Sequence, residues 1–120
     1  MGESVQSVLK FEDGLDQWQA KQYQSAIHTW QSLAERGDAR AQFNLGVIVD
    51  QGVYVERDPL VAAYYWRLAM QQMYPQAAFN LALLLESGEV IEQFVGERVQ
   101  CYSLAATQGN AQAQFKLGFM

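Results

Sequence analysis

The chain has 120 residues, half of them apolar and 18% charged, which suits one domain with a buried core and excludes wholesale disorder. A net charge of −5 argues against a nucleic-acid partner, and no apolar run approaches the length of a membrane span. A single cysteine, Cys101, and a single histidine, His28, exclude an internal disulfide and a histidine-rich metal site.

From the N-terminus, Phe11 and Gly14 belong to a first helix in which Asp13 stands where later units carry leucine. A polar residue there marks a capping unit whose outer face meets water. A short turn is expected around Ala20-Lys21-Gln22, followed by a helix with Tyr23, Ala26, Ile27, Trp30, Leu33 and Ala34 on one stripe. Gly37 suits the left-handed position that ends it, and Asp38 caps the next. That next helix is apolar on two sides: Ala41, Leu45, Ile48 and Val49 on one, Phe43, Gly46 and Val47 on the other. Such a helix is packed between neighbours. Asp58 and Pro59 open a further helix with Ala62, Ala63, Trp66, Ala69, Met70 and Met73 on its stripe. Pro75 opens one carrying Ala77, Leu81, Leu84 and Leu85, and Val99, Tyr102, Ala105 and Ala106 mark the stripe after it. Gly109 and Asn110 repeat the Gly37-Asp38 boundary. The last helix is expected to leave Phe115, Leu117, Phe119 and Met120 partly exposed unless another chain or the further residues of a longer array cover them, the longer array being the simpler reading.

These elements recur. Ala41-Gln42-Phe43-Asn44-Leu45-Gly46 returns as Ala77-Ala78-Phe79-Asn80-Leu81-Ala82 and again as Ala113-Gln114-Phe115-Lys116-Leu117-Gly118, each step being 36 residues. Nine positions of 38–73 are identical to those of 74–109 at that register. The expected organisation is a single repeat domain, 1–120: an N-terminal helix pair at 3–37, repeats at 38–73 and 74–109, and the first helix of a further unit at 110–120. Stacked units touch only their neighbours and bury one continuous core. Gly46 and Gly118, with Ala82 in register between them, mark places where two helices approach closely.

The pattern Ala41, Leu45, Gly46, Gly52, Val55, Asp58, Ala62, Trp66 and Ala69, echoed by Ala77, Leu81, Gly88, Ile91 and Ala105, resembles the Sel-1-like repeat (SLR) family. This family is a relative of the tetratricopeptide repeat. Gly109, Ala113, Gln114, Leu117 and Gly118 fit the same signature, so the resemblance covers about residues 23–120. It implies an all-α, right-handed superhelical α/α solenoid of antiparallel helix pairs, working as a non-catalytic scaffold without a cofactor. The chain departs from the family at Tyr54 and Val90, where a second loop glycine is usual, and in the third unit at Phe94 and Arg98. Family members are commonly bacterial and often exported. A chain with neither a signal-like start nor a disulfide suits cytoplasm and periplasm alike, so the compartment stays open.

By the same resemblance, first helices line a concave surface. Asn44, Asn80 and Lys116 recur every 36 residues, so stacking puts them in one row. Two amides at fixed spacing suit the backbone of an extended peptide; the competing role is bonding to neighbouring loops. Arg40, Val47, Asp50 and Gln51 are the expected neighbours on that face, with Gln76, Leu83 and Glu86 equivalent. The expected partner is a protein or peptide. The alternative is self-assembly, such as a homodimer, through the uncovered last helix.

Catalytic candidates are thin. Ser25 and His28 share a helical face but have no third partner, and a solvent-facing histidine is the expectation. Cys101 has only Arg98 nearby and reads as a partly buried thiol. Glu86, Glu89, Glu92 and Glu97 lack calcium-loop spacing and read as a solvated rim. A cysteine-rich branch of the family is linked to β-lactam binding. This chain lacks those cysteines, so a β-lactam or cell-wall hydrolase is a remote alternative.

Overall fold

The structure, a computed structural model, describes residues 8–118. Among them are seven helices: α1 (Phe11–Gln19), α2 (Tyr23–Glu35), α3 (Ala39–Gln51), α4 (Pro59–Gln71), α5 (Pro75–Ser87), α6 (Glu97–Thr107) and α7 (Ala111–Leu117). Each packs on the next in sequence, giving an elongated body of 60 × 28 × 25 Å. Neighbour-only packing with short reversing turns is the signature of an α/α solenoid. The expected unit start at 3–7, and Phe119 and Met120, lie outside the described residues.

Local chemistry explains the boundaries. Asp38 Oδ1 accepts from the N–H groups of Arg40 and Ala41, Asp58 Oδ1 from those of Leu60 and Val61, and Asn110 Oδ1 from that of Ala113. Pro59 and Pro75 take first-turn positions. Gly37 and Gly109 adopt φ of 95° and 91° just past their helices. Lys21, in the expected short turn, has φ 64°. The two departures from the family's loop glycine avoid positive φ: Tyr54 stacks on Tyr23 at 4.2 Å, and Val90 is buried.

One helix-to-helix contact occurs in each of the first two units. Trp66 Nε1 donates to Phe43 O at 3.2 Å, and the indole lies on Gly46, where a Cβ would come 2.7 Å from Cε2. Trp30 does the same on Phe11 O and Gly14. In the third unit the narrower Tyr102 replaces tryptophan and Ala82 replaces glycine, both fully buried. Gly118 makes no such approach, because no second helix follows it among the described residues.

Three expectations need correcting. The core is two clusters, one built on α2 and α3 and the other on α4 to α7, because the two apolar sides of α3 face different clusters. Val99 is 42% exposed while Cys101 is fully buried, so the buried face of α6 is centred on Cys101. Val99, two residues away, is turned about 200° from it. Helix α6 also starts late, at Glu97, because Phe94 offers no cap and Gly96, at φ 90°, takes the N-cap position. Met73 is 65% exposed rather than on the stripe, because α4 has ended. It holds φ 63°, where Gly37 and Gly109 stand in the other units.

Candidate functional site

Asn44 on α3 and Asn80 on α5 are both half-buried at equivalent positions. Neither side chain makes a hydrogen bond among the described residues, whereas the neighbouring buried Gln42 spends its amide on Ala34 O at 3.1 Å. Inter-unit amide bonding falls instead to the glutamines, since Gln72 Nε2 also reaches Gly37 O at 2.8 Å. The asparagine amides are therefore unspent.

A groove of about 340 Å³ between α3 and α5 brings together Val47, Asp50, Gln51, Asn80 and Leu83 from the expected face. Arg57, Ser87 and Glu89 close its rim. Asn44 lies one turn before Val47 on α3, and that spacing puts both on one face. The lining of the groove does not include Asn44 itself, nor Arg40, Gln76, Glu86 or Lys116. Arg40 is exposed, 4.4 Å over the Phe11 ring and 3.5 Å from Glu12. Gln76 is exposed in the first turn of α5. Lys116 Nζ is held at 2.9 and 3.1 Å by Glu86, which also accepts from the Tyr102 hydroxyl at 2.5 Å. The third member of the row is thus tied to its neighbour.

The supposed acidic rim is a set of paired carboxylates. Glu89 receives Arg57 in a two-pronged contact at 2.7 and 3.0 Å, and Arg57 also donates to Asp50. The Arg57 guanidinium accordingly holds the Glu89 carboxyl below the ordinary carboxylate range. Tyr102, and then Lys116, do the same for Glu86. Glu97 is buried rather than solvated. Its burial pushes the carboxyl up, but Arg67 at 2.8 and 3.1 Å and the Gln93 N–H at 2.9 Å outweigh that and hold it low. Glu92 accepts from the Arg98 N–H.

These pairings span 30 to 32 residues rather than 36, which is why a search at the repeat register misses them. Opposite charges recurring at that shorter offset are the available signal. With one guanidinium between Asp50 and Glu89, the α3–α5 groove keeps a net negative charge.

For bond-making chemistry the surroundings are poor. Ser87 Oγ donates to Leu84 O at 2.7 Å, and His28 and Ser25 are both exposed. Burial pushes the Cys101 thiol up to about 12, the wrong direction for a nucleophile. Among the described residues no group of three histidine, cysteine, aspartate or glutamate side chains is placed to hold a metal ion, and no helix is long and apolar enough to cross a membrane.

The family model described as Sel1 repeat matches residues 39–72, 75–97 and 99–110. Among solved structures, a Sel1 repeat protein from Oxalobacter formigenes is similar at 30% identity and a TM-score of 0.79, covering 92% of this chain and 45% of that one. A protective antigen of uropathogenic Escherichia coli strains, displaying an SLR fold, is similar at 32% identity and a TM-score of 0.70, covering 80% of this chain and 21% of that one. The chain therefore spans less than half the length of either. No protein of curated function matches it.

Proposed function

The chain belongs to the Sel1 repeat family, whose members generally mediate protein–protein interaction, and on that premise we propose that it is a non-catalytic scaffold holding an extended protein or peptide segment along its α3–α5 face. The observation that carries this reading is the pair of unspent amides at equivalent positions, Asn80 lining the groove and Asn44 one turn before Val47 on α3. An extended chain offers donors and acceptors at regular intervals, and the two amides complement them without first breaking a bond of their own. Val47 and Leu83 supply apolar contact, and the excess carboxylate beside Arg57 favours a basic residue in the guest. The array has unit limits at 3–37, 38–73, 74–109 and 110–120 in this reading.

The test is affinity capture from host extract with mass spectrometry, comparing wild type with Asn44→Ala/Asn80→Ala. The double variant should keep its helical circular dichroism and melting, since neither amide bonds to another of the described residues. Loss of a specific partner from the folded variant supports the reading. Capture of the same partner by both proteins overturns it and moves binding elsewhere. Turnover of a chromogenic β-lactam that disappears in His28→Ala would contradict the non-catalytic assignment.

A further inference from the structure

A second groove, of about 550 Å³, lies between α4 and α6, the second helices of their pairs. It is larger than the α3–α5 groove and falls within the range of ligand-binding cavities. Glu97, Gln100, Leu104 and Thr107 line it from α6 at spacings of three and four residues, so one face of that helix follows it along its length. Met70, Met73 and Phe94 provide the remaining apolar wall, and methionine adapts its shape to what it meets.

The charges of the groove select its occupant. Among the described residues that line it, the charged ones are Arg67 and Glu97, which neutralise each other through Nε and Nη2 at 2.8 and 3.1 Å. A charged guest would lose its hydration there without gaining a counter-charge. Arg67 Nη2 also donates to Ile91 O at 3.2 Å, whereas Nη1 has no acceptor among the described residues and is not sealed from solvent. A guest placed there is offered a donor already neutralised in charge, which suits a carbonyl oxygen.

We propose that the α4–α6 groove docks a peptide segment of a partner protein, inserting an uncharged side chain of about leucine size between Met70, Phe94 and Leu104 while its main-chain carbonyl accepts from Arg67 Nη1. This site shares no lining residue with the α3–α5 groove, so the two sites can be filled at once and either proposal can fail while the other stands.

The test is a methyl and amide NMR titration of the full chain with N-acetyl-leucine N-methylamide, using the glycine and glutamate counterparts as controls. The leucine compound should bind with a dissociation constant on the order of 1 mM, expected for about a dozen non-hydrogen atoms, and move the Met70, Met73 and Leu104 signals saturably. Burial of its side chain should favour it by about tenfold over either control. Ser103→Trp, on the half-buried wall, should abolish the shifts with melting unchanged; Gln100→Trp, on the exposed lip, serves if the first variant misfolds. Asn44→Ala/Asn80→Ala should leave them intact. Absence of saturable shifts, equal binding of the glutamate compound, or shifts that survive the tryptophan variant would overturn the proposal.

Discussion

Gly46→Ala tests the contact that closes the α3–α4 helix pair. In an ordinary helix this change gains about 1 kcal/mol of helix propensity. Here the new Cβ would meet Trp66 Nε1 and come 2.5 Å from Cδ1 and 2.7 Å from Cε2. Ordinary carbon contact is about 3.5 Å, so the indole must move by roughly 1 Å in a site where Trp66 is only 2% exposed. Overpacking of that kind costs about 1–3 kcal/mol. The same shift breaks the 3.2 Å bond from Nε1 to Phe43 O, and an unpaired buried N–H costs about 1–3 kcal/mol more. The net expectation is a loss of about 3 kcal/mol, or a melting temperature lower by about 12 °C. The third unit suggests the rescue, since Ala82 and Tyr102 occupy the equivalent positions fully buried. Gly46→Ala/Trp66→Tyr should therefore be more stable than the sum of its single changes by about 1–3 kcal/mol in a double-mutant cycle of urea melts. A Gly46→Ala protein as stable as wild type, or strict additivity in the cycle, would refute the reasoning.

Arg67→Leu leaves the Glu97 carboxylate buried without its partner and should cost about 3 kcal/mol near neutral pH. In wild type the Glu97 value is lowered, so its contribution is present above the ordinary carboxylate range and lost as pH falls through the lowered value. In the variant only the Gln93 N–H still opposes burial, the larger effect, so the sign reverses and acidification should recover stability; urea midpoints that fall equally in both proteins would contradict this. Cys101, with its thiol pushed up to about 12, should react with iodoacetamide about a thousandfold more slowly in native protein than in urea, and comparable labelling would contradict its burial. Met73→Gly should raise stability by about 1 kcal/mol in chemical melts, because a non-glycine residue at φ 63° is strained; an equal loss would show that the exposed side chain matters more.

The parts of the fold legible in the sequence are those that one short segment dictates. Asp38, Asp58 and Asn110 cap because a side-chain oxygen needs only the next two or three N–H groups, and Pro75 sits where a missing N–H costs nothing. The Gly46–Trp66 contact was half legible: the glycine showed that helices approach there, but not that an indole fills the gap. Val99 and Cys101 were misplaced because the stripe of α6 was carried over from the preceding units, while Gly96 resets where that helix begins. The asparagine row follows from the repeat itself. Arg57 and Arg67 were missed because their partners come from the following unit's loop or helix start, at offsets of 32 and 30 residues, which depend on how the units stack.

The central claim is that partners bind the α3–α5 face. It is tested most directly by placing the photo-crosslinking residue p-benzoylphenylalanine at Leu83, which is 39% exposed in that groove, and separately at exposed His28 on α2, then irradiating in host extract. The account predicts a discrete adduct from Leu83, absent from His28 and from Leu83 carried in the Asn44→Ala/Asn80→Ala background. The same adduct from both positions, or none from Leu83, would contradict it.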